Sequence, residues 1–176
     1  MTILQYLNYN EINNKNRNSI SHYAAVAICI LPNDKIVYIK RQDTMPTHKG
    51  QIAFPGGKAQ AEDKDIVDTA VRETKEELLL PSSYLEPIGI LGSFDTREFE
   101  FPVYPVVCKL ESVNLLDFNN TEVQKVYSVD ITYLNDPSNW VYRGWYDSDW
   151  IVKIEEDILW GATARMTLEL FQLRLD

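Results

Sequence analysis

A chain of 176 residues is long enough for one domain with a buried core, and its net charge of −9 excludes nucleic acid or an anionic membrane as the main partner. A hydrophobic fraction of 45%, with four Trp and ten Tyr, excludes a disordered chain. Residues 1–18 lack the pattern of a signal peptide, and no run approaches the ~18 apolar residues of a membrane helix. We therefore expect a soluble cytoplasmic protein that binds a small molecule and is a monomer or a homodimer.

The chain is expected to begin with a lead-in of residues 1–22, which is crowded with Asn and charged residues over 8–18 and is interpreted as mobile or weakly helical. Residues 23–176 form the predicted domain. Apolar runs predict buried strands over 23–31 and 36–39, with turn-forming residues between them.

The rest of the chain alternates strand and helix patterns. Periodicity and helix-breaking residues first predict a polar loop over 42–51 and a helix that is capped at Asp65 and ended by Pro81. Strands over 88–92 and 103–110 follow, with a charged loop over 95–100 between them, and then a strand over 126–131 and a helical turn over 132–135. The last elements are a hairpin over 140–146 and 150–154 and a helix over 163–174, which has Met166, Leu170 and Leu173 on one stripe. Strands dominate, and no linker divides the chain. The predicted fold is a one-domain α/β arrangement.

Two cysteines, Cys29 and Cys108, each lie within an apolar run. Such residues behave as small hydrophobic side chains, and a reducing cytosol keeps them as thiols. A disulfide is the alternative. We expect free thiols in the core.

The helix predicted after Asp65 carries two different faces. At about 100° per residue, one arc is a core-facing stripe made of Val67, Ala70, Val71, Thr74 and Leu78. A second arc carries Glu73, Glu76 and Glu77, whose carboxylates lie within a turn of each other. Clustered carboxylate oxygens suit Mg²⁺ or Mn²⁺, but a solvated acidic face is the commoner meaning of such a charge run. The helix alone leaves both interpretations open.

The segment ahead of this helix favours the metal site. Phe54 and Pro55 precede Gly56 and Gly57, and two glycines permit a tight turn and close approach of the backbone to a ligand. A Gly-Gly pair alone usually means a plain turn. Followed by an acidic loop and a capped helix bearing R-E-x-x-E-E, it is much more specific.

At this point the sequence resembles the Nudix hydrolases, whose box reads G-x5-E-x7-R-E-U-x-E-E-x-G-U, with U an aliphatic residue. Gly57 matches the opening glycine, residues 72–77 match the charged core, with Thr74 in an aliphatic slot, and Leu80 matches the last aliphatic position. The resemblance implies a single-domain α/β/α sandwich with a mixed central sheet. It also implies hydrolysis of a diphosphate bond with the help of a divalent cation.

Three positions depart from the box. Asp63 stands at the first acidic position, with Glu62 beside it. The spacer from Asp63 to Arg72 is one residue longer than in the box, and Leu79 occupies the late glycine. The longer spacer precedes or begins the helix, so the three helix glutamates keep their relative positions.

The flanking sequence is similar to the coenzyme A diphosphatase-like branch of this family. Arg41, Gly50 and the Phe-Pro-Gly-Gly loop at 54–57 match the upstream signature of the branch, and residues 103–107, 122–123 and 159–165 are also similar. Pro46 stands where the signature has its second arginine, so His48 or Lys49 would have to compensate.

The resemblance implies roles for individual residues. Glu73, Glu76 and Glu77, with the carbonyl of Gly56, are the expected ligands of Mg²⁺ or Mn²⁺, and Arg72 braces a glutamate or an adjacent loop. The general base is a helix glutamate or Glu122. The expected substrate-binding residues are Arg41, His48, Lys49 and Gly57.

The expected reaction converts coenzyme A or acyl-coenzyme A to 3′,5′-ADP and (acyl-)4′-phosphopantetheine. One alternative is a Nudix diphosphatase that acts on ADP-ribose, NADH or a dinucleotide. A second is a non-catalytic nucleotide-binding module of the same fold. The presence of all three helix glutamates favours an enzyme over a binding module.

Overall fold

The computed structural model of the protein describes residues 3–18, 22–96, 100–115 and 117–175. The strands are β1 (Asn10–Glu11), β2 (Ala24–Leu31), β3 (Lys35–Arg41), β4 (Ile52–Ala53), β5 (Gly56–Lys58), β6 (Leu85–Ile90), β7 (Val103–Leu110), β8 (Val123–Asp130), β9 (Trp140–Tyr142), β10 (Trp150–Ile154) and β11 (Asp157–Leu159). The helices are α1 (Ile66–Leu78), α2 (Ile131–Leu134) and α3 (Gly161–Phe171). Single turns of 3-10 helix lie at Ile3–Tyr6, Ser82–Tyr84 and Pro137–Asn139.

A mixed sheet organises the chain. Its strands follow the order β1-β6-β7-β2-β3-β4, while β5 pairs with β2 and β8 pairs with β3. The β2–β7 pair is parallel and the other pairs are antiparallel. A smaller antiparallel sheet contains β9, β10 and β11.

The large sheet buries both of its faces, as the alternating side chains of β2 show. Ala24 and Ile28 belong to a cluster with α3 and the small sheet, whereas Ala25 and Ala27 belong to a cluster with α1. The central strands therefore read as continuous apolar runs and not as alternating ones. Helices or the second sheet cover each face, which confirms the predicted α/β fold with a mixed central sheet in a single domain.

The predicted elements are confirmed with shifts at their ends. The helix expected over 163–174 spans Gly161–Phe171, so Leu173 lies beyond it, and the strand expected over 126–131 begins earlier, at Val123. Three further strands were not predicted: β4, β5, which contains the two glycines expected in a loop, and β11, which continues the late hairpin. Residues 97–99 of the predicted charged loop lie outside the described residues.

The lead-in contains a strand that the sequence pattern does not predict. It contains the helical turn Ile3–Tyr6, but Asn10 and Glu11 also add an edge strand to β6. The backbone N–H of Asn8 donates to the carbonyl of Leu170 at 2.7 Å, which ties the lead-in to the end of α3.

The two cysteines lie side by side in the core. Cys29 on β2 is in register with Cys108 on β7, and both are buried free thiols, as expected. Burial raises the pKa of the Cys108 thiol to about 12 and that of Cys29 well above its usual value. Among the described residues, no helix is long and apolar enough to cross a membrane.

Candidate active site

The helix α1 is fixed at both of its ends. The carboxylate of Asp65 accepts hydrogen bonds from the N–H groups of Val67 (2.9 Å) and Asp68 (3.0 Å), as an N-cap does. The helix ends at Leu78, two residues before the predicted end, because Leu79 adopts the left-handed conformation with φ 51°. Leu79 is the residue that replaces the late glycine of the box, and it keeps the backbone conformation that glycine favours.

Thr74 is a polar residue on the core-facing side of α1, and its hydroxyl group has a hydrogen-bond partner. Thr74 is fully buried, and its hydroxyl donates to the carbonyl of Ala70 at 2.7 Å. A buried donor that is satisfied in this way costs little. Val71, also expected in the core, is only partly buried.

The two glycines of the Phe-Pro-Gly-Gly loop permit close contact between β5 and its neighbours. A Cβ on Gly56 would lie 2.4 Å from the carbonyl oxygen of Ala25, and Gly56 itself has φ +156°. A Cβ on Gly57 would lie 2.5 Å from a carboxylate oxygen of Glu73. Gly56 is therefore required by the sheet, whereas Gly57 leaves space for a side chain of the acidic face.

Glu77 is buried, although the sequence analysis placed it on the acidic face. Its side chain is 2% exposed, and Oε2 accepts a hydrogen bond from the Gly56 N–H at 2.9 Å. Nη1 of Arg41 lies 3.7 Å from Oε1. Burial raises the pKa of Glu77 to about 8, against the lowering effects of the Gly56 hydrogen bond and Arg41. The Gly56 N–H and Arg41 therefore do not fully offset the cost of burying a charged Glu77 carboxylate.

Arg72 holds the outer part of the acidic face. Its guanidinium contacts Asp63 twice, at 2.8 and 2.9 Å, and donates to Glu73 at 2.8 Å and to Glu76 at 3.3 Å. It also donates to the carbonyl of Lys58 at 3.1 Å. Arg72 thus braces two glutamates and a strand, whereas the sequence analysis expected one glutamate or an adjacent loop.

Asp63, at the first acidic position of the box in sequence, is held by Arg72. Its side chain is 3% exposed, and the Arg72 hydrogen bonds are the main cause that lowers its pKa to about 2. Glu62 is exposed. The helix α1 is continuous from Ile66 to Leu78, so its glutamates keep their helical register whatever the length of the spacer.

Glu122 brings a further carboxylate towards the same place. It lies in the turn before β8, where Asn119 Nδ2 contacts its Oε1 at 3.4 Å. Its charge contributes to the raised pKa values of Glu73 and Glu77, although burial is the largest cause for both. Three carboxylates from two separate elements therefore share one electrostatic environment.

These groups line a cavity of about 610 Å³ between the sheet and the beginning of α3. The structure brings most of the predicted site residues into its wall, namely Arg41, His48, Gly56, Gly57, Glu73, Glu77 and Glu122. Lys49 is exposed and outside the wall, so the structure does not place this predicted substrate-binding residue with the others. Glu76 is also outside the wall, because its carboxylate is exposed and held by Arg72.

Several cavity residues were missed by the sequence analysis. Lys58, Tyr146, Trp160 and Arg165 line the wall and come from three separate segments, since Trp160 is the N-cap of the helix that carries Arg165. The sequence places Tyr146 only in a predicted hairpin, and Trp160 and Arg165 only in a segment similar to the branch. Only the folded chain shows that these residues meet.

The donor set fits a divalent cation. Glu73 and Glu77, with Glu122 nearby, supply carboxylate oxygens of the kind that hard cations prefer, and burial raises the pKa of Glu77 to about 8, so a bound cation would stabilise its charged form. Within the described ranges, no three acidic, His or Cys side chains are already arranged to hold a metal ion. Arg72 contacts both Glu73 and Glu76, and a cation bound by these glutamates would have to replace those contacts.

Comparison with known proteins agrees with this geometry. Residues 21–148 match the model of the NUDIX domain. The Nudix hydrolase NudL of Yersinia enterocolitica is 30% identical over 167 residues, which cover 86% of this chain and 81% of the relative.

Solved structures show the same fold. A protein of Deinococcus radiodurans superimposes with a TM-score of 0.57 at 14% identity, covering 93% of this chain and 98% of its own. The Ap4A hydrolase of C. elegans, solved as a binary complex, gives a TM-score of 0.51 at 18% identity and covers 64% of this chain and 82% of its own. The matched domain and the curated relative together show that the chain belongs to the Nudix hydrolase family, whose members hydrolyse diphosphate bonds of nucleotide derivatives with a divalent cation.

Proposed function

We propose that the protein hydrolyses the diphosphate bond of coenzyme A or acyl-coenzyme A to 3′,5′-ADP and (acyl-)4′-phosphopantetheine, with Mg²⁺ or Mn²⁺ as the cation. The observation that carries this proposal is one cavity whose wall contains Glu73, Glu77 and Glu122 together with apolar and aromatic side chains such as Phe54, Val103 and Trp160. A substrate with a diphosphate and a long, mostly uncharged arm matches both parts of that wall. The flanking resemblance to the coenzyme A diphosphatase-like branch supports the same choice.

Glu73, Glu76 and Glu77 are the proposed ligands of the cation, together with the carbonyl of Gly56. When bound, the cation would neutralise diphosphate oxygens and lower the pKa of a water molecule. The positions of these side chains determine where the cation would be held. Glu77 is fixed by the Gly56 N–H and Arg41, whereas Glu73 is placed against Gly57.

Glu122 is the proposed general base, with a helix glutamate as the alternative. Its carboxylate lines the cavity, and the contact to Asn119 at 3.4 Å is a weak one. It is therefore free of the strong ion pairs that hold Glu73 and Glu76 to Arg72. A carboxylate in this position can take a proton from a water molecule that attacks phosphorus.

Arg41, His48 and Gly57 are the proposed contacts to the substrate. His48 lines the cavity with its Nδ1 3.2 Å from Oε1 of Gln51, which orients the ring. Pro46, at the position of the missing signature arginine, is exposed and outside the wall. A group on the cavity wall such as His48 is therefore a better replacement for that arginine than Lys49.

A substrate panel tests the proposal. Coenzyme A, acyl-coenzyme A, ADP-ribose, NADH and a dinucleotide are assayed side by side with Mg²⁺ or Mn²⁺, and the coenzyme A compounds are expected to give the highest kcat/KM. A preference for another compound would replace the substrate but keep the reaction. Hydrolysis of none of them, with binding still detected by calorimetry, would refute an enzymatic role and favour a binding module.

The metal site has its own test. Glu77→Gln is expected to lower kcat by at least about 100-fold and to reduce the rise in Tm that Mg²⁺ gives the wild type, because a neutral amide is a poor ligand for a hard cation. Glu62→Gln removes the same charge from an exposed position outside the cavity and serves as the control. Equal rates for Glu77→Gln and the wild type would refute this metal assignment. We also propose a cytoplasmic location, in keeping with the free thiols of Cys29 and Cys108.

A further inference from the structure

The cavity has a far end, away from Glu73 and Glu77, whose basic residue has no role in the proposed reaction. The strand register places Lys58, Ala24, Val103 and Phe94 side by side, on β5, β2, β7 and the segment after β6. At about 4.8 Å between neighbouring strands, the ends of this row are separated by roughly 14 Å. The far end lies beyond the reach of the diphosphate itself.

Arg165 of α3 is the basic residue at this far end. It lines the cavity, and its Nη2 donates to the carbonyl of Asp95, next to Phe94, at 2.7 Å. This hydrogen bond fixes one side of the guanidinium to the end of the row. The other guanidinium donors remain available to a ligand, since one contact uses only one of five N–H groups.

The charge of Arg165 is not neutralised by an ion pair within the described ranges. No carboxylate there lies within 4.0 Å of it, whereas Arg41 and Arg72, the other arginines near the cavity, each contact at least one glutamate. Asp95 lies at this end and Asp147 also lines the cavity, and both are exposed to solvent. They oppose an anion at longer range, so a direct contact to Arg165 is needed for one to bind.

We infer that Arg165 is a specificity-determining residue, which binds a phosphomonoester that the nucleotide substrate carries outside its diphosphate. The inference rests on the proposed function in one respect, because the nucleotide must occupy this cavity. A phosphomonoester carries about −1.5 to −2 charge, and an arginine fork matches its oxygens. The group is on the 3′ position of the ribose in coenzyme A and on the 2′ position in NADPH.

Product-like nucleotides test the inference without turnover. Calorimetry with Mg²⁺ present compares 3′,5′-ADP, 2′,5′-ADP and 5′-AMP on the wild type, Arg165→Gln and Arg174→Gln. Arg174 is an exposed arginine outside the cavity wall, so its variant changes the net charge equally. The wild type and Arg174→Gln are expected to bind a bisphosphate about 10- to 100-fold more tightly than 5′-AMP, and Arg165→Gln is expected to lose that preference.

The two bisphosphates distinguish the sources of the phosphomonoester. Preference for 3′,5′-ADP identifies a coenzyme A type of substrate, and preference for 2′,5′-ADP identifies an NADPH type. If Arg165→Gln weakens all three ligands equally, Arg165 only ties α3 to the Asp95 loop, and the inference is wrong. Equal binding of the three by the wild type, or binding of none, also overturns it.

The outcome can be separated from that of the proposed function. Rates with coenzyme A against 3′-dephospho-coenzyme A, and with NADPH against NADH, give the same comparison during turnover. An Arg165-dependent binding preference without hydrolysis of coenzyme A would refute the proposed reaction and retain this inference. Hydrolysis of coenzyme A and its dephospho form with equal KM would retain the proposed reaction and refute this inference.

Discussion

Asp63→Asn tests whether the first acidic position of the box acts by holding Arg72. Asparagine keeps the shape of the side chain and one oxygen acceptor, but it removes the charge that faces the guanidinium at 2.8 and 2.9 Å. The backbone N–H of Gln60 and the hydroxyl of Thr69 donate to the same carboxylate at 2.9 Å. The substitution therefore weakens a network that joins the loop, α1 and β5.

The size of the effect follows from the lowered pKa of Asp63. The pKa falls from 3.8 to about 2, mainly through the Arg72 hydrogen bonds, which corresponds to about 2 kcal/mol of stability at neutral pH. Because the folded-state pKa lies below the unfolded one, this stabilisation is complete above about pH 5 and is lost as the pH falls through 4 towards 2. Roughly half of it remains at pH 3.

Urea unfolding followed by Trp fluorescence measures the effect at pH 7, 5 and 3. We expect Asp63→Asn to lower the free energy of unfolding by about 2 kcal/mol at pH 7, or Tm by roughly 4–8 °C, and by about half as much at pH 3. Glu62→Gln removes the neighbouring exposed charge, and it is expected to change stability by less than about 0.5 kcal/mol. A loss for Glu62→Gln that equals that of Asp63→Asn, or a loss that does not depend on pH, would refute the assignment.

Other predictions concern the two loop glycines and the two core thiols. Gly57→Ala is expected to lower kcat at least about tenfold with little change in Tm, because its Cβ would lie 2.5 Å from the movable Glu73 carboxylate. Gly56→Ala, which meets backbone at 2.4 Å, is expected instead to lower the free energy of unfolding by at least about 2 kcal/mol; the reverse pattern in urea unfolding and rate assays would contradict this division. Cys29 and Cys108 are expected to react with a disulfide reagent only after urea unfolding, since both are fully buried, and fast modification of the native protein would contradict that burial.

The central strands and α1 could be predicted because their signals are local. The apolar run of β2 and the cap at Asp65 each specify structure within a few residues. The short strands β1 and β11 carry no such pattern, since two or three residues gain their order only from the strand they pair with. Their existence depends on β6 and β10, which sequence periodicity cannot place beside them.

Only those residues of the candidate site that belong to one continuous sequence motif could be predicted. The box identified the acidic face, Arg72 and the glycines, because these lie within one loop and one helix. The opposite wall of the cavity comes from the β9–β10 loop, Trp160 and α3, which reach the sheet through tertiary packing. Arg165 is 88 positions after Glu77 in the chain, and only the folded domain places both in one wall.

The different burial of the three glutamates shows what a helical wheel omits. The wheel gives directions around α1, but not what packs in each direction. β5 approaches through its two glycines, so the side chain of Glu77 is 2% exposed and that of Glu73 is 15% exposed, whereas that of Glu76 is 56% exposed. Glu77 is consequently held in place before any ligand arrives, and Glu76 must first exchange its contact with Arg72. A cation that binds all three would therefore loosen Arg72 from the acidic face, while Asp63 keeps it beside the site.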